Sequence, residues 1–147
     1  MVRRRRKSNR KTRKLKGGGI QISYPSFVVN NSETTINNTR NTPTLTLLPL
    51  KLSTFVMYDP DASIPQWLHY LVINIPNGDI TKGETIVHYS GPSPPPGTGV
   101  HRYIFEQLEQ QNKYSINSIK PSGFNITTFS NIYSLTVKAK KMFRVSS

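Results

Sequence analysis

The chain has 147 residues and no cysteine, which excludes disulfide bonds, cysteine-ligated zinc, iron–sulfur clusters and a thiol nucleophile. This length is that of one domain, and such a domain buries about two-thirds of its unfolded surface, enough for a real core. The formal net charge of +13 favours polyanionic partners.

Half of the positive charge lies in the first 16 residues, which contain no acid and are followed by three glycines. The ten cations are Arg3, Arg4, Arg5, Arg6, Lys7, Arg10, Lys11, Arg13, Lys14 and Lys16. Because like charges repel and the segment has almost no apolar residue to bury, we predict a disordered basic arm with a glycine hinge over residues 1–19. The remaining 10 cations face 7 acids, so the domain predicted for residues 20–147 is far less basic.

From residue 20 onward the sequence has the short apolar segments and turn signals of an all-β domain. The alternating Ile20, Ile22 and Tyr24 predict a first strand. Residues 45–47 lie just before a proline, which predicts an edge strand. Residues 54–58 are apolar on both faces and predict a central strand that is buried on both sides.

The next segments alternate less regularly. His69, Leu71, Ile73 and Ile75 occupy alternate positions, which predicts a strand with all four side chains on one face. An Asn-Gly dipeptide, typical of a tight turn, then leads into a strand that is predicted over residues 80–89.

The C-terminal third predicts two further strands and a short helix. Residues 101–105 alternate in strand fashion, and so do residues 135–145, where apolar positions alternate with lysine and arginine. Between them, residues 126–133 have apolar positions at helical spacing, with Asn125 or Thr127 available as the N-terminal cap.

The residues with functional chemistry cluster at the ends of predicted strands. Asp59 directly follows the central strand, and His69 and His101 each lie at the start of another. Residues 91–99 form a loop with four prolines and three glycines, and Tyr103 shares a strand face with His101. Backbone N–H groups of such a loop, two imidazoles and a phenol suit a phosphate or sulfate ion. A neighbouring carboxylate can hold an imidazole in one tautomer.

Three motifs occur in the order and spacing of one protein family: Asp59-Pro60-Asp61-Ala62, Trp67-x-His69-Tyr70-Leu71-Val72 and Gly99-x-His101-Arg102-Tyr103. Together with the proline- and glycine-rich loop, they resemble the phosphatidylethanolamine-binding protein family, which includes the Raf kinase inhibitor protein and the plant flowering-locus regulators. The resemblance covers roughly residues 20–145. It implies a Greek-key β-sandwich with a short helix, and a small pocket at one end that binds phosphate, phosphoethanolamine or phosphorylated groups.

Carried over position by position, the resemblance implies five ligand-binding residues: Asp59, His69, Pro95, His101 and Tyr103. It also implies motif roles for Trp67, Asp61 and Arg102, of which the last two hold loops together. The loop at residues 63–66 is shorter than in animal members, and the chain stops soon after the last predicted strand. From these departures we expect a more open pocket.

Two functional hypotheses of different classes follow. The first is a non-enzymatic, regulatory or scaffolding module that binds a phosphate-bearing ligand such as a phospholipid headgroup, with no cofactor. The second makes the basic arm the active part, binding nucleic acid or an anionic lipid surface as in a virion-associated structural protein. The protein partner and the oligomeric state stay open in both.

Two alternatives within the pocket have weaker support. Two histidines and one carboxylate also suggest a metal site, but no further acid or histidine lies nearby in the sequence, and we expect no metal. A hydrolase would need an activated nucleophile, and Ser93 on a proline-rich loop is a poor candidate.

The sequence has no apolar run long enough to span a membrane and no apolar stretch of a secretory signal. We therefore expect a cytoplasmic location. A location inside a virus particle is the alternative, since the composition is that of an AT-rich genome and basic arms recur in viral structural proteins.

Overall fold

The structure of the protein is a computed structural model that describes residues 19–147. All ten cations of the predicted basic arm lie outside this range. The described strands are β1 (Gln21–Tyr24), β2 (Phe27–Val28), β3 (Glu33–Thr34), β4 (Thr44–Thr46), β5 (Leu52–Asp59), β6 (Trp67–Pro76), β7 (Glu84–Val87), β8 (Val100–Glu109) and β9 (Thr136–Ser146). The described helices are α1 (Ile126–Tyr133) and two single 3₁₀ turns, Asn37–Thr39 and Ile80–Lys82.

The strands form two sheets. The small sheet has the order β2-β1-β4, and the large sheet has the order β3-β9-β8-β5-β6-β7. Neighbouring strands are antiparallel except for the parallel pair β3 and β9. Strand β5 lies inside the large sheet, and every residue of it after Leu52 is buried, which confirms the predicted central strand.

The large sheet buries side chains on both faces. One face packs against the small sheet through a core that includes Ile22, Phe55 and Phe143. The other face packs beneath α1 through a core that includes Leu71 and Phe129. The result is a β-sandwich with one short helix on its outer face, as the sequence predicted.

Helix α1 begins and ends where the spacing predicted. The side chain of Asn125 accepts a hydrogen bond from the backbone N–H of Thr128 at 2.9 Å, so Asn125 is the N-cap. Ser134 has a left-handed backbone with φ of 54° and ends the helix. No helix among the described residues is long and apolar enough to cross a membrane.

Strand β6 contains a β-bulge at His69. In its pairing with β5, Met57 is opposite Tyr70 and Tyr58 is opposite Leu68, so His69 is an extra residue on β6. A bulge re-aims a side chain relative to the regular alternation of the strand.

This bulge and a second register shift between Val72 and Ile75 overturn one expectation from the sequence. His69 was expected to share a face with Leu71, Ile73 and Ile75, but Leu71 and Ile73 pack in the core beneath α1, whereas Ile75 packs in the core between the sheets. The ring of His69 lies against Tyr103, which belongs to that inter-sheet core. The period of two therefore fails where the register shifts.

The strand predicted over residues 80–89 is also wrong in its first part. Ile80–Lys82 forms a 3₁₀ turn, and only Glu84–Val87 forms a strand. The carboxylate of Asp79 accepts hydrogen bonds from the backbone N–H and the hydroxyl of Thr81, at 3.1 and 2.5 Å. These hydrogen bonds to the Asp79 side chain give the backbone of residues 80–82 an alternative to pairing with a neighbouring strand.

A buried glutamine connects the two layers. The Gln107 side chain is fully buried; its Oε1 accepts from the Leu48 backbone N–H at 2.8 Å, and its Nε2 donates to the Leu48 carbonyl at 3.0 Å. Leu48 follows the small sheet, so this side chain of β8 pairs with its backbone as a neighbouring strand would.

We expect Gln107→Leu to lower the free energy of unfolding by about 1–3 kcal/mol, because it leaves polar backbone groups of Leu48 without partners. Urea denaturation measures this. The matched control is Gln111→Leu at an exposed position, which should change stability by less than about 0.5 kcal/mol. Equal stability of the two variants would contradict the bridging role.

Candidate functional site

The antiparallel order of the large sheet brings three strand ends together. Asp59 at the end of β5 pairs with Trp67 at the start of β6, and β8 also runs antiparallel to β5 from the same edge. A cavity of about 320 Å³ lies at this edge. Its lining includes the residues Asp59, His69, Pro95, His101 and Tyr103, and Trp67 beside them.

A buried pair, Asp59 and His101, lies in the wall of the cavity. Oδ2 of Asp59 lies 2.7 Å from Nδ1 of His101, and the two residues are only 3% and 2% exposed. The other carboxylate oxygen, Oδ1, accepts from the backbone N–H of Asp61 at 2.7 Å. A buried charge needs such partners, since an unpaired one is strongly destabilising.

The hydroxyl of Thr98 contacts Nε2, the other ring nitrogen of His101. Thr98 Oγ1 lies 2.6 Å from the Pro95 carbonyl oxygen and 2.8 Å from His101 Nε2. A carbonyl oxygen only accepts, so the single hydroxyl proton goes to Pro95, and Oγ1 accepts from Nε2–H. Because Nδ1 faces the Asp59 carboxylate, both ring nitrogens of His101 are engaged in hydrogen bonds within the protein.

His69 is held differently. Its Nδ1–H donates to the Ser90 carbonyl at 2.6 Å, and its ring meets the Tyr103 ring edge-on with centroids 5.2 Å apart. Burial lowers the pKa of His69 below its ordinary 6.5, against the opposing effects of the Ser90 carbonyl and the Asp59 charge. His69 is therefore neutral at pH 7, with the lone pair of the ring on Nε2.

Tyr103 lines the cavity with its phenol beside Asp59. The residue is 1% exposed, and its ring stacks on Phe143 in the inter-sheet core. Burial, reinforced by the charge of Asp59, raises the pKa of its phenol above the ordinary value of 10.0. The hydroxyl therefore keeps its proton across the physiological range.

Asp61 and Arg102 form an ion pair beside the cavity and do not line it. The Arg102 guanidinium donates to both carboxylate oxygens at 3.0 and 2.9 Å, and its backbone N–H donates to Asp61 at 2.8 Å. The hydrogen bond from Arg102 lowers the pKa of Asp61. Because both side chains are partly exposed, the pair orients the loop after β5 more than it stabilises the fold.

The rim of the cavity is the predicted loop at residues 91–99. Gly97 and Gly99 have φ values of 80° and 84°, a conformation that side chains with a Cβ rarely adopt. These turns bring Pro95 and Thr98 over His101. Trp67, 39% exposed, stands at the cavity mouth.

Sequence reasoning missed two residues that organise the site, Ser90 and Thr98. Ser90 acts through its backbone carbonyl, so its residue type gives no signal. Thr98 lies three residues before His101 in the loop already noted for its composition, but nothing in that composition marks its hydroxyl as a partner. The cavity lining also includes Ala62, Ser63, Gly91, Ser93 and Pro94.

The metal alternative has no geometric support. Within residues 19–147, no three histidine or acidic side chains are arranged so that they hold a metal ion. The Asp59 carboxylate and the His101 nitrogens already bond to one another and to Asp61 and Thr98.

Comparison with known families agrees with the motifs. A family model described as phosphatidylethanolamine-binding protein matches residues 9–138. The chain belongs to this family. The match begins inside the predicted basic arm and runs into β9, so it covers the cavity and both sheets.

Individual relatives support the same family. The chain is 37% identical to Protein MOTHER of FT and TFL1 homolog 2 from Oryza sativa subsp. japonica over 95 residues, which are 57% of this chain and 53% of that protein. The chain thus spans about half the length of this curated relative. This agrees with the predicted membership of the phosphatidylethanolamine-binding protein family.

Two solved structures share the fold. A carboxypeptidase Y inhibitor, solved with its cognate proteinase, aligns with a TM-score of 0.74 and 21% identity over 87% of this chain and 82% of its own. The phosphatidylethanolamine-binding protein from Plasmodium vivax aligns with a TM-score of 0.69 and 20% identity over 86% and 83% of the two chains. Both similarities show a shared β-sandwich fold.

We expect His69 to titrate below pH 6.5 in the folded protein, which NMR of the imidazole signals against pH measures. Since the unfolded chain then binds this proton more tightly, the contribution of His69 to stability is complete above pH 6.5 and declines as the pH falls below it. Exposed His88 supplies a second imidazole signal from which that of His69 is distinguished by its loss in His69→Phe. A His69 midpoint above 6.5 would contradict the burial argument.

Proposed function

We propose that the protein is a non-enzymatic module that binds a phosphate-bearing ligand in the cavity at the end of β5. Membership of the phosphatidylethanolamine-binding protein family indicates a ligand-binding or regulatory role. The observation that carries the finer proposal is the convergence of the Tyr103 phenol, the two imidazoles and the loop at residues 91–99 on one small cavity. A cavity with a few converging polar groups is the usual form of a small-ligand site.

The hydrogen bonds of Thr98 support binding over catalysis. A hydroxyl, an imidazole and a carboxylate in a chain have the composition of a nucleophile triad, with Thr98, His101 and Asp59 as members. In such a triad the hydroxyl donates to the imidazole, which then accepts its proton. Here the Thr98 hydroxyl donates to the Pro95 carbonyl, so its proton is not directed at the His101 imidazole as in such a triad.

We expect Tyr103→Phe to weaken the binding of inorganic phosphate about tenfold or more, because it removes one hydrogen bond to a charged oxygen and keeps the ring. Isothermal titration calorimetry measures the affinity. The matched control is Tyr70→Phe, which removes a half-buried phenol that does not line the cavity. If Tyr103→Phe and the unmodified protein bind phosphate equally tightly, the cavity is not the phosphate site.

The basic arm supports a second function, attachment to a polyanion. Ten cations and no acid lie between residues 3 and 16, and no aromatic residue is interleaved with them. Counterion release from phosphates favours binding by such a segment. Without aromatic side chains to stack on bases, the arm has no means of preferring one sequence or single strands.

We expect the affinity of the full chain for duplex DNA to fall by about 10³–10⁵ between 50 and 200 mM salt if 6–10 phosphates are contacted. Fluorescence anisotropy with two unrelated duplexes measures this, and both should bind alike. The control is the fragment of residues 20–147, first checked for an unchanged melting temperature. A fragment that keeps most of the DNA affinity would contradict the role of the arm.

A further inference from the structure

One carboxylate of the large sheet lies where the strand pattern predicts an apolar side chain. Ile104 and Leu108 of β8 pack in the core beneath α1. Glu106 lies between them at the alternate position, so its side chain is on the same face. The residue is only 3% exposed. Because a buried charge is costly unless it is paired and hydrogen-bonded, Glu106 requires partners.

The described residues supply one of these partners. The Tyr58 hydroxyl donates to Oε2 of Glu106 at 2.5 Å, and burial together with this contact raises the pKa of the phenol, which therefore keeps its proton. The second oxygen of Glu106, Oε1, has no donor among residues 19–147. Since no fully buried side-chain nitrogen or oxygen in that range lacks a partner, Oε1 reaches the surface of a cavity.

This second cavity has a volume of about 340 Å³ and lies between α1 and the large sheet. No residue lines both this cavity and the one at the end of β5. Its walls combine hydroxyl and amide groups with apolar surface. Helix α1 contributes Ile126, Thr127, Ser130 and Asn131, and the sheet contributes Tyr58, Glu106, Val137 and Lys140.

The open carboxylate oxygen requires a positively charged donor. None of the ion pairs within residues 19–147 involves Glu106. Lys140 is opposite Glu106 in the pairing of β8 with β9, but its side chain is exposed to solvent. A metal ion does not fit, because no three acidic or histidine side chains of the described part of the chain converge.

An ammonium or guanidinium group on an aliphatic stem fits the remaining lining. One N–H donates to Oε1 in a charge-assisted hydrogen bond, and the hydroxyls of Thr127 and Ser130 are acceptors for the other N–H groups. Ile126 and Val137 offer apolar surface to the methylene groups, which lysine and arginine bury readily. The cavity therefore suits one lysine or arginine side chain.

The described part of the chain begins one strand away from this cavity. Gly19 lies against β9, since a Cβ at this glycine would be 3.4 Å from the Cβ of Ala139. Ala139 is the neighbour of Lys140, which lines the cavity. Strand β3 pairs with β9 only at Arg144 and Val145, so no described strand covers the edge of β9 at Ala139. Residues before Gly19 have only this edge to pass in order to reach the face beneath α1.

The basic arm has the length and the charge for this contact. Its ten cations lie between residues 3 and 16, and residues 1–16 contain no acid that would compete with Glu106. An extended chain spans about 3.3 Å per residue, whereas neighbouring strands lie about 4.8 Å apart. Several of the cations are thus within reach. A short flexible tether also gives an effective concentration in about the millimolar range, so that a weak ion pair suffices.

We propose that the cavity beside Glu106 binds one arginine or lysine side chain of the basic arm of the same chain. The arm is then held on its own domain by a buried carboxylate. The regulatory consequence rests on the proposed attachment to a polyanion. A polyanion has to compete with Glu106 for the arm, and its apparent affinity is reduced by the fraction of arms that are docked.

Paramagnetic relaxation in NMR spectra tests the contact in the full chain. Since the chain contains no cysteine, Ser8→Cys provides a single position for a nitroxide label in the middle of the arm. At low ionic strength we expect the label to broaden the amide signals of Thr127, Ser130 and Asn131. Absence of this broadening overturns the proposal.

Two glutamate variants of the labelled chain separate docking from mere proximity. Glu106→Gln keeps the side-chain shape and an acceptor for Tyr58 but removes the charge, so the broadening should be lost. Glu109→Gln is the matched control, because Glu109 is a half-buried acid of the same strand that does not line the cavity. This control should keep the broadening. Equal broadening in the two variants overturns the proposal.

A change in the arm provides an independent test should Glu106→Gln fail to fold. Glutamine in place of all ten arm cations leaves residues 19–147 unaltered and should also abolish the broadening. Persistent broadening in this chain overturns the proposal. If the label causes no broadening but added arginine methyl ester shifts the three amide signals, the cavity takes a cation from another source and the proposed occupant is wrong.

Duplex DNA distinguishes this inference from the proposed polyanion attachment. In fluorescence anisotropy, Glu106→Gln should bind DNA about threefold or more tightly than Glu109→Gln does, because a larger fraction of its arms is free. Equal DNA affinity of the two variants overturns the regulatory consequence. If neither variant binds DNA while the broadening still depends on Glu106, the polyanion attachment fails and the docking of the arm stands.

Discussion

A carboxylate removed from water at the end of the central strand constrains everything around it. Asp59 follows six consecutive buried residues of β5, so its charge has to be compensated by protein groups. The backbone N–H of Asp61 bonds to one oxygen and Nδ1 of His101 to the other. His101 in turn donates to Thr98, and Thr98 donates to the Pro95 carbonyl. The position of the rim loop thus follows, through a chain of hydrogen bonds, from one buried charge.

The two histidines of the cavity have different hydrogen-bond partners. Both ring nitrogens of His101 are held within the protein, Nδ1 by Asp59 and Nε2 by Thr98. His69 bonds to a carbonyl instead of a carboxylate, and burial lowers the pKa of its imidazole, which therefore stays neutral at pH 7. Two imidazoles that look equivalent in the sequence therefore differ in their hydrogen bonds, because tertiary contacts give each different partners.

The sequence predicted the fold class, the central strand and the helix, because apolar periodicity and burial act over whole elements. The five residues that the resemblance implied as ligand-binding, Asp59, His69, Pro95, His101 and Tyr103, line one cavity, although their ligand-binding role stays a prediction. It failed where one residue changes the geometry: at the bulge of His69 in β6 and at the Asp79 side chain that turns residues 80–82 into a 3₁₀ helix. Thr98 and the Ser90 carbonyl escaped notice because tertiary contacts alone give them their roles.

The bulge in β6 has a partner further along the same strand. A second register shift lies between the pairs Phe55–Val72 and Ser53–Ile75, so β6 contains one more extra residue opposite Thr54. Each register shift moves the side chains that follow it on β6 to the opposite face of the sheet. The second shift restores the alternation that preceded the first. Between the two shifts, each residue therefore has its side chain on a fixed face of the sheet. Inserting or deleting one residue there would exchange the two faces for the side chains that follow. A substitution in this strand keeps the register of β6, whereas a lone insertion or deletion moves core side chains to the opposite face of the sheet.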